Sequence, residues 1–459
     1  MQHAIPYATP IPEIEFVLHQ LLQVVPQLAR LQPSLGVTRA GVDALVRELG
    51  DFAESVVPPL HAAGEAECCT WHDGEVSTPS GFGDAYRQFC QRGWAGIAAA
   101  REHGGLGLPT VLANLATEIF GAANHAWLMY GSMSRGAYEC IRANGTAAQQ
   151  AAYLPALAAG RWTGSMCITE AQAGTDVGLI ETTAVPMPGG RYRLTGLKRM
   201  ATNAEHDLSE NIVHLVHLVH LVLARIEGAS AGSKGLSLFI APKFLAGGNG
   251  LPMRNAVRCT GLEDKMGIRG TPTCWMRFEG ADAELLGQPH QGLAAMFVMM
   301  NIARLGTGMQ GVNQNERALQ LARRYARQRR QGKAPDAAGR AQAGADLLIG
   351  HPDVRRMLLT QKAWVEAGRA FAYWIALQVD RAQADPDAQE RRHAAELVSL
   401  LTPVLKAFVT DNGHDCATLG QQVLGGVGYL RESGAALFVA GPRGSCASSC
   451  RWLPEAATT

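Results

Sequence analysis

The chain has 459 residues, 41 Lys and Arg against 40 Asp and Glu, a formal net charge of +1 and 47% hydrophobic residues. That length accommodates two to three domains with substantial cores, and the balanced charge, without a Lys/Arg block interleaved with aromatics, argues against nucleic acid as a partner. Ten cysteines show neither a disulfide framework nor paired ligand spacing, since Cys68-Cys69 are adjacent and Cys446 and Cys450 form a lone pair, so no zinc site is expected.

The start, Met1-Gln2-His3-Ala4-Ile5-Pro6, lacks a basic stretch followed by an apolar core, and a cytoplasmic location is the expectation. From Glu13 to about Ala159 apolar residues recur at three and four, as in Phe16, Val17, Leu21, Leu22 and Val25, which predicts a helical domain over 1–160. Phe120 to Tyr130, rich in Ala, Met, Trp and Tyr, reads as its central buried helix. Beyond Arg161 the period changes. Short runs separated by Gly and Pro predict a small antiparallel sheet or barrel over 161–285.

Inside that segment, Met166 to Gly178 is an apolar run that empties into small, hydroxylated and glycine residues. Gly174 and Gly178 let backbone approach a ligand, and Thr169 and Thr175 add hydroxyls, which suits a phosphate-bearing cofactor. A polar surface turn after a strand fits the same residues. Further on, His214-Leu215-Val216 is repeated as His217-Leu218-Val219 and His220-Leu221-Val222. Two extra copies add six residues, an even number that restores strand facing, so a tandem duplication lengthening a hairpin is one reading and a metal site the other. In a strand His214 and His220 share a face and His217 takes the opposite one. The run from Ile212 to Ile226 is too short and too polar to span a bilayer.

After Gly292 the helical period returns with Leu293, Met296, Phe297 and Met300, and a polar helix follows through Arg317 to Arg330. The stretch 332–350, rich in Ala and Gly, reads as a mobile loop. Val354, Met357, Leu358, Gln361 and Val365 mark an amphipathic helix, and the helix from Ala394 to Thr410 carries Pro403, which is expected to kink it. A helical bundle over 286–436 results, before a tail, 437–459, that abandons helical periodicity. The expected class is α+β and multi-domain: helical N-terminal domain, middle antiparallel β domain, C-terminal helical bundle.

Four ordered motifs carry a resemblance: Met166-Cys167-Ile168-Thr169-Glu170-Ala171-Gln172-Ala173-Gly174-Thr175-Asp176, Leu194-Thr195-Gly196-Leu197-Lys198, Gly261-Leu262-Glu263-Asp264-Lys265-Met266-Gly267-Ile268-Arg269-Gly270, and Gln422-Val423-Leu424-Gly425-Gly426-Val427-Gly428-Tyr429. Over roughly residues 7 to 436 the chain resembles the acyl-CoA dehydrogenase family, in its larger bacterial branch of 3-methylmercaptopropionyl-CoA dehydrogenase-like enzymes. The resemblance implies FAD held between the last two domains, a homodimer or homotetramer, an acyl-CoA substrate and an electron-transfer flavoprotein as partner. It gives Met166, Ile168, Thr169, Gly174 and Thr175 to the flavin and the thioester, with Ala171 where the family usually has Pro. Thr202 matches the hydroxyl residue near flavin N5, and Arg304 falls on the substrate side with Thr175. Arg329 resembles the arginine that reaches an FAD phosphate, and a solvated basic helix face is its alternative. Gln422 with Gly425, Gly426 and Gly428 resembles a cradle for a partner subunit's FAD, and generic glycine turning is the alternative there.

Oxidation between Cα and Cβ needs a base for the Cα proton. In the family that base is a glutamate downstream of the Gly-Gly turn, and counting forward from Gly426 reaches Ser449. Some relatives place it before the first bundle arginine, which here is Ala303. Glu455 lies in the wrong context, beside Pro454. The expectation is therefore an FAD-dependent acyl-CoA dehydrogenase impaired in turnover. The alternatives are a non-catalytic flavin or acyl-CoA binding protein, a truncated or frameshifted product, and an oxidase or flavin monooxygenase on the same fold.

Overall fold

The computed structural model describes residues 6–209, 218–246, 251–335 and 344–440. The N-terminal part contains helices α1 (Ile11–Glu15), α2 (Val24–Leu31), α3 (Arg39–Ser55), α4 (Pro59–Glu67), α5 (Phe82–Gln91), α6 (Thr110–Asn144) and α7 (Ala147–Ala158), with a small hairpin of β1 (Thr70–His72) and β2 (Glu75–Ser77). Local sequence starts them: Thr38 accepts the Gly41 N–H at the head of α3, and Thr146 and Gln149 form a reciprocal capping box on α7. Extended dihedrals at Asn124 break α6 into two arms, 110–123 and 125–144.

The middle part holds β3 (Thr163–Cys167), β4 (Thr183–Pro186), β5 (Arg191–Thr202), β6 (Leu218–Ile226), β7 (Leu236–Pro242), β8 (Phe244–Ala246), β9 (Pro252–Arg254), β10 (Val257–Leu262) and β11 (Thr273–Leu286). The main sheet runs β10-β11-β5-β4-β6-β3, and β7 pairs with both β11 and β6, which closes it into a ring. Most pairs are antiparallel, as the short-run pattern suggests, but β6 lies parallel to β3 and β4. That parallel placement buries β6 from Leu218 to Ala224, so its residues read as a continuous apolar run rather than alternating. His220 sits within it, its Nδ1 2.8 Å from Ser165 Oγ. His214 and His217 lie outside the described residues, as does the center of the 332–350 stretch; no cluster of metal-ligating side chains occurs among the described residues.

The bundle consists of α8 (Gly292–Ala326), α9 (Pro352–Ala384) and α10 (Ala388–Val423). Glycine allows its closest crossing: a Cβ on Gly311 of α8 would stand 2.4 Å from the Val409 carbonyl of α10, and one on Gly413 2.7 Å from the Gly311 carbonyl. The polar helix has two parts: Gln310, Asn313, Gln314, Asn315, Glu316 and Arg317 are buried, whereas Arg323, Arg324 and the residues from Arg327 to Arg330 are exposed. The charge on Glu316 is met by a buried network in which Arg369 bridges Glu118 (2.6 Å) and Glu316 (3.0 Å). α10 continues through Pro403 to Val423. Helical residues run on to Ala440, and Phe438 packs against His61 and Arg317.

Burial leaves a pH signature. It holds His61 down at about 4, and His125 and His206 at about 3. The unfolded chain binds protons near the ordinary imidazole value of about 6.5, so these rings stabilise the fold fully above that pH. Each loses on the order of 1 kcal/mol per pH unit as pH falls toward the folded values. Asp380, raised by burial to about 6, and Glu205, raised to about 7, act in the opposite sense. Calorimetry is expected to show a lower melting temperature at pH 5 than at pH 7.5, with His206→Gln flattening the decline.

Candidate functional site

β3 delivers Met166 to the mouth of a loop that is tied down on both sides. The Thr169 carbonyl accepts the Arg199 N–H at 2.8 Å, and Glu170 and Ala173 exchange backbone bonds at 3.0 and 3.1 Å. Asp176 Oδ1 takes the Gly178 N–H at 3.1 Å. A Cβ on Gly174 would meet nothing within 4 Å, so packing does not require glycine there and the backbone ledge lies open beside the exposed Thr175.

The loop is anchored by a buried ion pair. Glu170 accepts from Lys198 Nζ at 2.7 Å, the Glu181 N–H at 2.8 Å, the Thr182 N–H at 3.1 Å and Gln172 Nε2 at 2.8 Å, while Lys198 also donates to the Ile168 carbonyl at 3.0 Å. Burial works to raise the Glu170 carboxyl, but Lys198 and the other donors hold it below the ordinary value; burial pushes the Lys198 ammonium down against the pull of Glu170.

β5 ends beside this loop. Between Lys198 and Ala201 it carries one residue more than β11 opposite, a bulge that turns Met200 outward at φ 56° and leaves it 55% exposed. Thr202 stands opposite Thr273 at the strand end, and Asn203 follows at φ 53°. Two left-handed non-glycine residues within four positions concentrate backbone strain at this edge.

A cavity of about 400 Å³ is walled by both arms of α6, by α8 and by parts of α9 and α10. Contacts fix the arms' directions. Arg369 on α9 reaches Glu118 while Asp380, further along α9, accepts the Thr110 and Val111 N–H groups at 2.5 and 2.9 Å, so the first arm runs antiparallel to α9. The second arm runs antiparallel to α8, with His125 beside Gln310, Gly136 near Met299 and the Cys140 thiol donating to the Ala295 carbonyl. Met133 lines the cavity and also packs in the apolar cluster that includes Met166, Ile168 and Met300. Met133 is thus common to the cavity wall and to the apolar cluster beneath β3.

Met166, Ile168, Thr169, Gly174 and Thr175 thus lie on one strand-and-loop segment, and β5, which ends in Thr202, is tied to it through Lys198 and Arg199. Arg304 stands at this end of α8, bonded to Asn301 Oδ1 at 3.1 Å and lying over the Phe297 ring, with Asn301, Ile302 and Ala303 on the cavity wall. Arg329 does not join them: it lies 25 residues beyond Arg304, past the end of α8, about 35 Å away at helical rise. It is exposed, as are Gln422, Gly425 and Gly426, whereas Gly428 turns inward, where a Cβ would stand 2.3 Å from the Gln421 carbonyl. Ser449 and Glu455 lie outside the described residues. Sequence reading missed the cavity residues Asn114, His125, Leu128, Met133, Arg135 and Gln310; the only signal was the apolar density around Phe120 to Tyr130.

Three family profiles match in chain order: Acyl-CoA dehydrogenase, N-terminal domain, over residues 42–161; Acyl-CoA dehydrogenase, middle domain, over 165–281; and Acyl-CoA oxidase, C-alpha1 domain, over 297–448. With this fold and relatives such as those below, the chain belongs to the acyl-CoA dehydrogenase family of FAD-dependent oxidoreductases. It is 40% identical to 3-methylmercaptopropionyl-CoA dehydrogenase of Ruegeria pomeroyi over 433 residues, 94% of this chain and 72% of that one. It is 34% identical to the broad-specificity linear acyl-CoA dehydrogenase FadE5 of Mycobacterium tuberculosis over 78% of this chain, and the match spans only 58% of that relative. Among solved structures, Caenorhabditis elegans ACDH-11 in complex with C11-CoA shares the fold, with a TM-score of 0.78 at 20% identity over 98% of this chain and 72% of that one.

Proposed function

We propose that this chain binds FAD and an acyl-CoA thioester and belongs to the α,β-dehydrogenation chemistry of its family. The observation that carries this is Met133, which lines a largely apolar cavity and packs against the apolar cluster that also receives Met166 and Ile168, at the head of the open Gly174 ledge. A flat ring system with polar edges fits there, since Met200 offers an apolar surface and Thr169, Thr175 and Thr202 offer hydroxyls around it. Bound FAD supplies the hydride acceptor. The residues of the chain bind and orient: Thr202 places a hydroxyl at the strand end, Met166 and Ile168 shape the mouth, and the cavity excludes water from an acyl chain. Arg329 and the Gln422 to Gly426 turn, too distant to serve their own chain's ledge, suit the FAD of a neighbouring copy in a homodimer or homotetramer. A cytoplasmic setting and an electron-transfer flavoprotein as electron acceptor complete the reading.

A second reading, a binder without turnover, is favoured by one observation. The cavity wall carries a single carboxylate among the described residues, Glu139, and Arg142 holds it at 2.7 Å. No free base stands at Ala303. Anaerobic titration of the purified flavoprotein with a panel of acyl-CoAs separates the two: bleaching of the flavin supports turnover, bound yellow flavin without bleaching supports the binder, and absence of bound flavin overturns both.

A further inference from the structure

The cavity wall is mostly apolar, yet three of its nitrogen donors have no acceptor: Asn114 Nδ2, Gln310 Nε2 and Arg135 Nε. Arg135 forms no ion pair and no hydrogen bond among the described residues. Its acidic neighbours are engaged elsewhere, Asp380 by the Thr110 and Val111 N–H groups and Glu139 by Arg142. Protein encloses Arg135, and burial pushes its guanidinium below the ordinary value, but it retains some accessible surface and lines the cavity. A buried cation without a partner is costly to keep, and buried donors are ordinarily satisfied.

The donors belong to one region. Thr110 on the first arm of α6 and Arg135 on the second both approach Asp380, Asn114 stands one turn beyond Thr110, and Gln310 faces in from α8 beside His125. A wall that offers one uncompensated cation and neutral amide donors, with its own carboxylate already paired, complements an anion more closely than a hydrocarbon tail.

We infer that the cavity receives an acyl-CoA whose far end carries a carboxylate, held by Arg135 with Asn114 and Gln310 beside it. The inference rests on the acyl-CoA reading above. It makes Arg135 a specificity-determining residue that touches the distal end of the acyl group rather than the reacting carbons.

Calorimetric titration of the full chain with octanoyl-CoA and with suberyl-CoA, which share eight acyl carbons, tests it. Suberyl-CoA is expected to bind about tenfold tighter or more, the scale of a charge-assisted hydrogen bond. Arg135→Met should remove that preference, with the melting temperature no lower, because an unpartnered charge has been taken out. Asn114→Leu should reduce the preference in part. Equal or tighter binding of octanoyl-CoA overturns the inference, as does a preference that survives Arg135→Met or an Arg135→Met chain that fails to fold. If neither thioester binds, the acyl-CoA reading itself falls, an outcome distinct from binding without preference.

Discussion

Glu170→Ala is expected to destabilise the protein by about 3–5 kcal/mol, the cost of stranding one member of a buried ion pair. Lys198 would be left fully buried with only the Ile168 carbonyl as partner, and the N–H groups of Glu181 and Thr182 would lose their shared acceptor. The same carboxylate connects the start of the loop to its exit, so the Gly174 ledge loses its anchor as the stability falls. Differential scanning calorimetry together with the flavin-to-protein absorbance ratio reads both effects. A variant that melts within about 1 kcal/mol of the parent, the scale of an exposed pair, would show that the pair does not hold the loop.

Arg369→Met should cost a comparable amount, about 3–5 kcal/mol, for a different reason. Burial opposes the charge on Arg369, but Glu118 and Glu316 hold its guanidinium above the ordinary value. Without it, two carboxylates from the N-terminal part and the bundle share a buried site with no cation between them, and Tyr373 donating to Glu118 at 2.6 Å cannot neutralise either. Urea unfolding checks the size of the effect: a variant within about 1 kcal/mol of the parent, the scale of an exposed pair, contradicts it.

Hydrophobic periodicity carried the three-part order of the fold because core faces repeat at three and four in helices, and short runs between turns mark strands. It did not show that α8 buries Gln310 to Arg317, because the pairing of buried polar groups depends on partners such as Arg369 that are distant in sequence. The loop from Met166 to Gly178 stood out in the sequence by its glycines and hydroxyls, which fit a ligand turn and a polar surface turn alike. The role of Glu170 was not legible, since its partners Lys198 and Thr182 meet it only after β5 has crossed the sheet. The cavity was also hidden: it exists because Asn124 turns α6 back on itself, and no helix-breaking residue announces that turn.

The repeated tripeptide has a consequence for how β6 finds its place. Leu218 to Val222 pair with β3, and a slip of three residues would put Leu, Val, His, Leu and Val into the same five positions, so β3 alone cannot distinguish the correct alignment from a decoy. The distinction falls to the residues beyond the repeat. A slip would place His220 where Leu223 is now buried and would remove Arg225 from the Gly178 carbonyl, which it holds at 3.0 Å. Gly178 lies at the far end of the loop that starts at Met166, so a misaligned strand would preserve its contacts with β3 while unlatching that loop, and the strand's position is read by Leu223 and Arg225 together.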